Sequence, residues 1–142
     1  MSPLAADRFG NGALAVVLLH GVGGGRRIWG DEASGTTPAL GDAGFTAVAV
    51  DLPGYGDSPL PPDLTVATMA RAVAATVRSL GFDSAVFVGH SMGGMVAQEL
   101  AATEPDLVSG LVLACTSPAF GKPGGDWQQG FLRDRLSRLD GG

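Results

Sequence analysis

Along this chain short apolar runs alternate with stretches in which apolar residues recur every third or fourth position, and the two periods predict different elements. Ala13 to Leu19 is a continuous run rich in Val and Leu, as a strand buried on both faces should be. It stops at His20-Gly21 in a glycine-dense loop. Phe45 to Val50, Ala85 to Val88 and Leu111 to Cys115 are three further runs of this kind. Between the second and third, Val66, Met69, Val73, Val77 and Leu80 share one helical face that ends at Gly81. Met92 to Thr103 gathers Met95, Val96 and Leu100 on another, and Pro105 stops it, because the residue before a proline avoids the helical region. In the first crossover Gly30, Gly35 and Gly41 interrupt the pattern, and only Thr37 to Asp42 reads as helix. After Ser117-Pro118, a loop with Gly121, Pro123, Gly124 and Gly125 leads to Asp126, an N-cap residue, and to Trp127, Phe131, Leu136 and Leu139 on a short amphipathic helix. This alternation predicts an α/β fold, a mainly parallel sheet with helices on both faces.

The chain has 142 residues, 45% apolar and 16% charged, enough for one domain around one core. No repeat or low-complexity linker divides it. Net charge is -5, and the basic residues are scattered or confined to one C-terminal stretch, so no stripe follows a phosphate backbone and no nucleic-acid partner is expected. The longest apolar run, Leu14 to Leu19, is far short of the roughly 20 residues of a bilayer span, and residues 1–12 lack the basic start and apolar core of a secretory leader. The expectation is a soluble, cytoplasmic protein without a membrane partner. The single cysteine, Cys115, forms no internal disulfide and is expected as a small buried hydrophobe. The sequence carries no signal for oligomeric state.

Chemistry concentrates at "GHSMGG", 89–94. A strand that reverses into a helix within one or two residues strains the residue at the tip and lifts its side chain clear of the sheet. Gly89 and Gly93 remove the collisions such a turn would cause, and Gly94 allows closer packing of helix and strand. Ser91 then stands at a helix N-terminus, where unpaired amides favour developing negative charge. That context makes Ser91 the candidate nucleophile. The Gly21 to Gly25 run fails as a dinucleotide loop, since Arg26 stands at the third glycine position and no helix opens there; the only lysine, Lys122, lies in "FGKPGG", outside any phosphate-loop pattern.

"LLHGVGGG" at 18–25, "DLPGYGDS" at 51–58 and "GHSMGG" at 89–94, in this order and spacing, resemble the N-terminal half of an α/β-hydrolase, in the branch of enol-lactonases, small carboxylesterases and C–C bond hydrolases. The resemblance covers about residues 13–118, with 127–139 resembling the start of a helical cap. It implies two parts, 1–118 as the N-terminal part of the core and 119–142 as the beginning of a cap, with the C-terminal part of the core absent. It also implies that the backbone amides of Val22 and Met92 bind the oxyanion, that His20 and Gly21 support that loop, and that neither metal nor organic cofactor takes part. Asp51, Gly54, Gly56 and Ser58 read as a turn held by hydrogen bonds rather than as chemistry. A serine at 91 argues against dehalogenase and epoxide-hydrolase relatives, which use a carboxylate nucleophile.

In this family the acid and then the histidine follow the serine, yet no histidine follows His90. His90 adjoins the serine, so its ring is expected to leave the turn in another direction. The later carboxylates, Glu99, Glu104, Asp106, Asp126, Asp134 and Asp140, fall on helices, caps or loops rather than after a strand. The expectation is therefore a serine hydrolase of small esters, lactones or activated carbonyl compounds in a longer parent, with this chain a truncated, inactive fragment lacking acid and base. The alternatives are a non-catalytic small-molecule binding remnant and a split enzyme completed by another chain.

Overall fold

The structure, a computed structural model, describes residues 2–118 and 125–140. Its elements are β1 (Ala6–Phe9), β2 (Ala15–Leu19), α1 (Thr36–Asp42), β3 (Thr46–Val50), α2 (Val66–Ser79), β4 (Ala85–His90), α3 (Met92–Thr103), β5 (Val108–Ala114) and α4 (Asp126–Asp140), with short 3₁₀ turns over Arg26–Trp29 and Pro105–Leu107. One five-stranded sheet has the order β1-β3-β2-β4-β5. Its pairings are parallel except that of β1 with β3, which is antiparallel.

β2 and β3 are buried at every position because they lie mid-sheet between two packed layers. Alternation sends Val17, Leu19, Val48, Val50 and Phe87 toward α2 and α3, where Met69, Val73, Val77, Val96 and Leu100 meet them. The opposite side chains, Leu18, Ala47 and Ala49, pack with Phe9, Trp29 and Leu40, the last on α1. Fully burying a side chain such as Phe87 contributes about 1.5–3 kcal/mol. α2 starts at a capping box, in which the Thr65 hydroxyl accepts from the Thr68 amide and the Thr68 hydroxyl from the Thr65 amide.

Four differences from the sequence reading stand out. β1 precedes the expected first strand; its residues Ala-Asp-Arg-Phe show a half-exposed alternation, too short and too charged to stand out as an apolar run. β5 begins at Val108 rather than Leu111, because Gly110 breaks the apolar run without breaking the ladder to β4. Cys115 is exposed rather than buried, since β5 is an edge strand whose Val112 and Leu113 are themselves 52% and 44% exposed. Asp126 is the first residue of α4 rather than its cap. The loop residues Gly121, Pro123 and Gly124, together with Lys122 and the side chains of Trp127, Leu139 and Asp140, lie outside the described residues.

Among the described residues no helix is long and apolar enough to cross a membrane, and no group of three or more His, Cys, Asp or Glu could hold a metal ion.

Candidate active site

Ser91 joins β4 to α3 with φ 53° and ψ -114°, a conformation that side-chain-bearing residues rarely adopt. It stands at the N-cap of α3, yet its hydroxyl makes no capping hydrogen bond, whereas a serine there ordinarily accepts one from the first turn. The glycines around it are steric necessities. A Cβ on Gly93 would collide with the carbonyls of Leu19 and His20 at the end of β2. On Gly89 it would lie 2.5 Å from the Gly93 oxygen, and on Gly94 it would strike the side chain of Thr116. Gly94 thus makes room for the loop after β5, a different neighbour from the strand anticipated in the sequence.

The 20–25 loop lies against this turn. A Cβ on Gly21 would come within 3.2 Å of Ser91 Cβ and 3.0 Å of His90 Nδ1. Gly21, Val22, Gly23, Gly24, Ile28, His90, Ser91 and Phe131 enclose a cavity of about 250 Å³. Two larger concavities, about 410 and 640 Å³, lie away from Ser91, around Leu60–Pro62 and around Arg8 and Arg27. Among the described residues no carboxylate, lysine or arginine lines the cavity at Ser91, and Ile28 and Phe131, which carry no motif signal in the sequence, supply apolar surface. His90, expected to turn elsewhere, shares this wall.

His20 is fully buried and both ring nitrogens are engaged: Nδ1 donates to the Gly21 carbonyl at 2.8 Å and Nε2 accepts from the Leu52 amide at 3.0 Å. The Tyr55 ring meets it edge-on at 4.9 Å. It therefore ties the 20–25 loop to the turn after β3 and has no nitrogen left to take a proton from Ser91. Met92 turns its side chain inward, where its sulfur meets the Tyr55 hydroxyl at 3.9 Å. Its amide stands at the first helical position, among the four whose N–H has no intrahelical acceptor.

A second brace is ionic. The Asp51 carboxylate accepts from the amides of Arg26 (2.7 Å) and Asp57 (3.1 Å) and from the Arg26 guanidinium. The guanidinium, 13% exposed, also reaches Asp7 and Asp57, each at 3.0 Å. Burial alone would raise the Asp51 pKa, but the two amides and the guanidinium outweigh it and hold the carboxyl below its usual range. The Arg26 pKa is raised above its already high ordinary value, chiefly by the bond to Asp57 against partial desolvation, with Asp7 and Asp51 adding. Gly56 has φ 51°, and a Cβ there would overlap the Asp51 carboxylate. The Ser58 hydroxyl donates to the Asp51 carbonyl at 2.6 Å and accepts from the Ala5 amide at 2.9 Å.

Among the described residues no imidazole or carboxylate is hydrogen-bonded to Ser91, and none of Glu99, Glu104, Asp106, Asp126 and Asp134 lines its cavity. Glu104 instead pairs with Arg78 at 2.6 Å.

Compared with known proteins, the chain matches the family model described as alpha/beta hydrolase fold over residues 15–139. It is 39% identical over 121 residues to the pimeloyl-[acyl-carrier protein] methyl ester esterase of Cronobacter sakazakii, covering 83% of this chain and 42% of that protein. Among solved structures it resembles a marine microorganism esterase, with TM-score 0.83 at 25% identity, over 97% of this chain and 51% of that one. It also resembles the epoxide hydrolase CorEH, with TM-score 0.76 at 35% identity, over 85% of this chain and 41% of that one. The chain spans about half the length of these relatives or less.

Proposed function

The chain belongs to the α/β-hydrolase fold family, and from that membership we propose that the protein carrying it is a serine hydrolase of small esters or lactones, with Ser91 as nucleophile. One observation carries the reading: Ser91 holds a positive-φ conformation at a helix N-terminus, its hydroxyl unused as a cap, on the wall of a cavity that Gly21–Gly24, Ile28, His90 and Phe131 also line. Fold likeness alone does not choose the reaction, because the neighbours' names include both an esterase and an epoxide hydrolase. The alcohol at 91 supports acyl transfer, because the epoxide-opening branch needs a carboxylate there.

In this reading Ser91 Oγ bonds to the substrate carbonyl carbon and the carbonyl π electrons move to oxygen, where the Met92 and Val22 amides receive the negative charge. Collapse expels the alcohol, which takes up the serine proton, and water then cleaves the acyl-enzyme. Gly89 and Gly93 shape the turn, while His20 and Gly21 brace the second donor. In this reading residues 1–118 are the N-terminal part of the core and 119–142 the beginning of a cap, whose Phe131 lines the cavity. Among the described residues none is hydrogen-bonded to the Ser91 hydroxyl as a proton acceptor, and the chain spans less than half of its esterase relative; a longer protein or a second chain would supply one, and a chain that receives none serves as a binding module.

The test is incubation of this chain and of the longest protein that contains it with p-nitrophenyl butyrate and a fluorophosphonate. Turnover and a phosphonyl adduct on Ser91 in the longer protein, absent from the 142 residues alone, are expected. An adduct elsewhere, or turnover that survives Ser91→Ala, overturns the assignment.

A further inference from the structure

The peptide unit between residues 91 and 92 has two ends. One is the Met92 N–H, the proposed oxyanion donor; the other is the Ser91 carbonyl, which accepts three hydrogen bonds. Gly94 and Met95 donate from within α3 at 3.0 and 3.3 Å. The third and shortest comes from outside the helix: the Thr116 hydroxyl donates at 2.7 Å, the modal length of an O–H···O bond. We propose that Thr116 is a positioning residue of this site, acting through that peptide unit, an inference that rests on the function proposed above.

Two effects follow from the bond. Hydrogen bonds in series polarise one another, so donation to the carbonyl makes the N–H of the same amide a better donor. The bond also adds a tie from outside the helix to a peptide plane that Gly94 and Met95 hold from within α3, and so sharpens the aim of the N–H. Preorganised direction is what separates an oxyanion donor from an ordinary exposed amide.

The surroundings are arranged to hold this one hydroxyl. A Cβ on Gly94 would lie 2.5 Å from Thr116 Oγ1 and 2.6 Å from its Cβ and Cγ2, so only glycine at 94 admits the threonine. The Gln98 side-chain amide donates to the Gly94 carbonyl at 3.1 Å and to the Ser117 carbonyl at 3.0 Å, anchoring the residue after it. On its other side the Ser91 amide donates to the Ala114 carbonyl at 3.0 Å. Between these anchors Cys115 adopts φ 50°, at the point where the chain leaves β5 for Thr116. The loop after β5 is thereby part of the serine turn, although no motif in the sequence joins them.

The experiment compares Thr116→Val, of the same shape without the hydroxyl, and Thr116→Ser, which keeps it, with Ser91→Ala as control, in the intact protein with p-nitrophenyl butyrate. Thr116→Val is expected to lower kcat roughly 3- to 15-fold with KM within about twofold, and Thr116→Ser to restore most of it. Thr116→Ala serves in its place if the valine variant does not fold. An unchanged kcat in Thr116→Val, or an equal loss in Thr116→Ser, overturns the assignment while leaving the nucleophile intact. Turnover that survives Ser91→Ala overturns both.

Discussion

Two turns of this protein are written in nearly the same residues and do opposite things. The turn after β3, Asp51 to Ser58, and the turn after β4, Gly89 to Gly94, each combine glycines with a small hydroxyl residue. In the first, every polar side chain is consumed: Asp51 holds two amides and a guanidinium, and Ser58 bridges two backbone groups. In the second, the glycines admit neighbouring backbone and the serine side chain is left without a capping bond. One turn holds and the other presents, and the difference lies in where the hydroxyl goes.

The largest way to sharpen that contrast is Ser91→Ala. It should lower kcat for p-nitrophenyl butyrate in the intact protein by on the order of 10⁴- to 10⁶-fold, with a thermal midpoint little changed, because alanine keeps the Cβ and with it the strained backbone at φ 53°. Gly93→Ala, in the same turn, should cost at least about 3 kcal/mol in a denaturant titration, because the new methyl meets rigid backbone of β2. A fully stable Gly93→Ala would mean that the close approach of α3 to β2 is not required.

In the holding turn the order of effects reverses, with stability moving before activity. Asp51→Asn should destabilise the fold by about 2–4 kcal/mol, since it leaves a largely buried guanidinium facing an amide. The sign of its pH dependence follows from the lowered pKa. The Asp51 contribution is complete above the unfolded value of about 3.9 and is lost as pH falls through the lower folded value. Exposed Asp31 and half-exposed Glu104, also lowered, act in the same direction. Denaturation curves between pH 7 and 3 should steepen their loss below about pH 4 in the wild type and less so in Asp51→Asn. Ser58→Ala is the smallest, about 1–2 kcal/mol with kcat within a few-fold; a larger kcat loss would show that this turn also shapes the chemistry.

Regular periodicity made β2, β3, β4, α2 and α3 legible, and the glycine spacing made the serine turn legible, because each is a local steric or burial demand. What escaped the sequence is non-local. β1 owes its existence to pairing with β3, and its Asp7 to Arg26, neither of which leaves a local pattern in four residues. The apolar run of β5 reads like β2, yet its position at the sheet edge exposes it. Ile28, Phe131 and Thr116 join the site only through tertiary folding.

The strand order has a kinetic corollary. Val17 lies between Val48 and Phe87, so the central strand cannot find either partner through a hairpin. Each contact requires closing a long loop, whose entropic cost must be met before the sheet returns any energy. The expected consequence is a parallel ladder that forms after the local helices, with the turn at Ser91 set only once β4 and α3 are packed together.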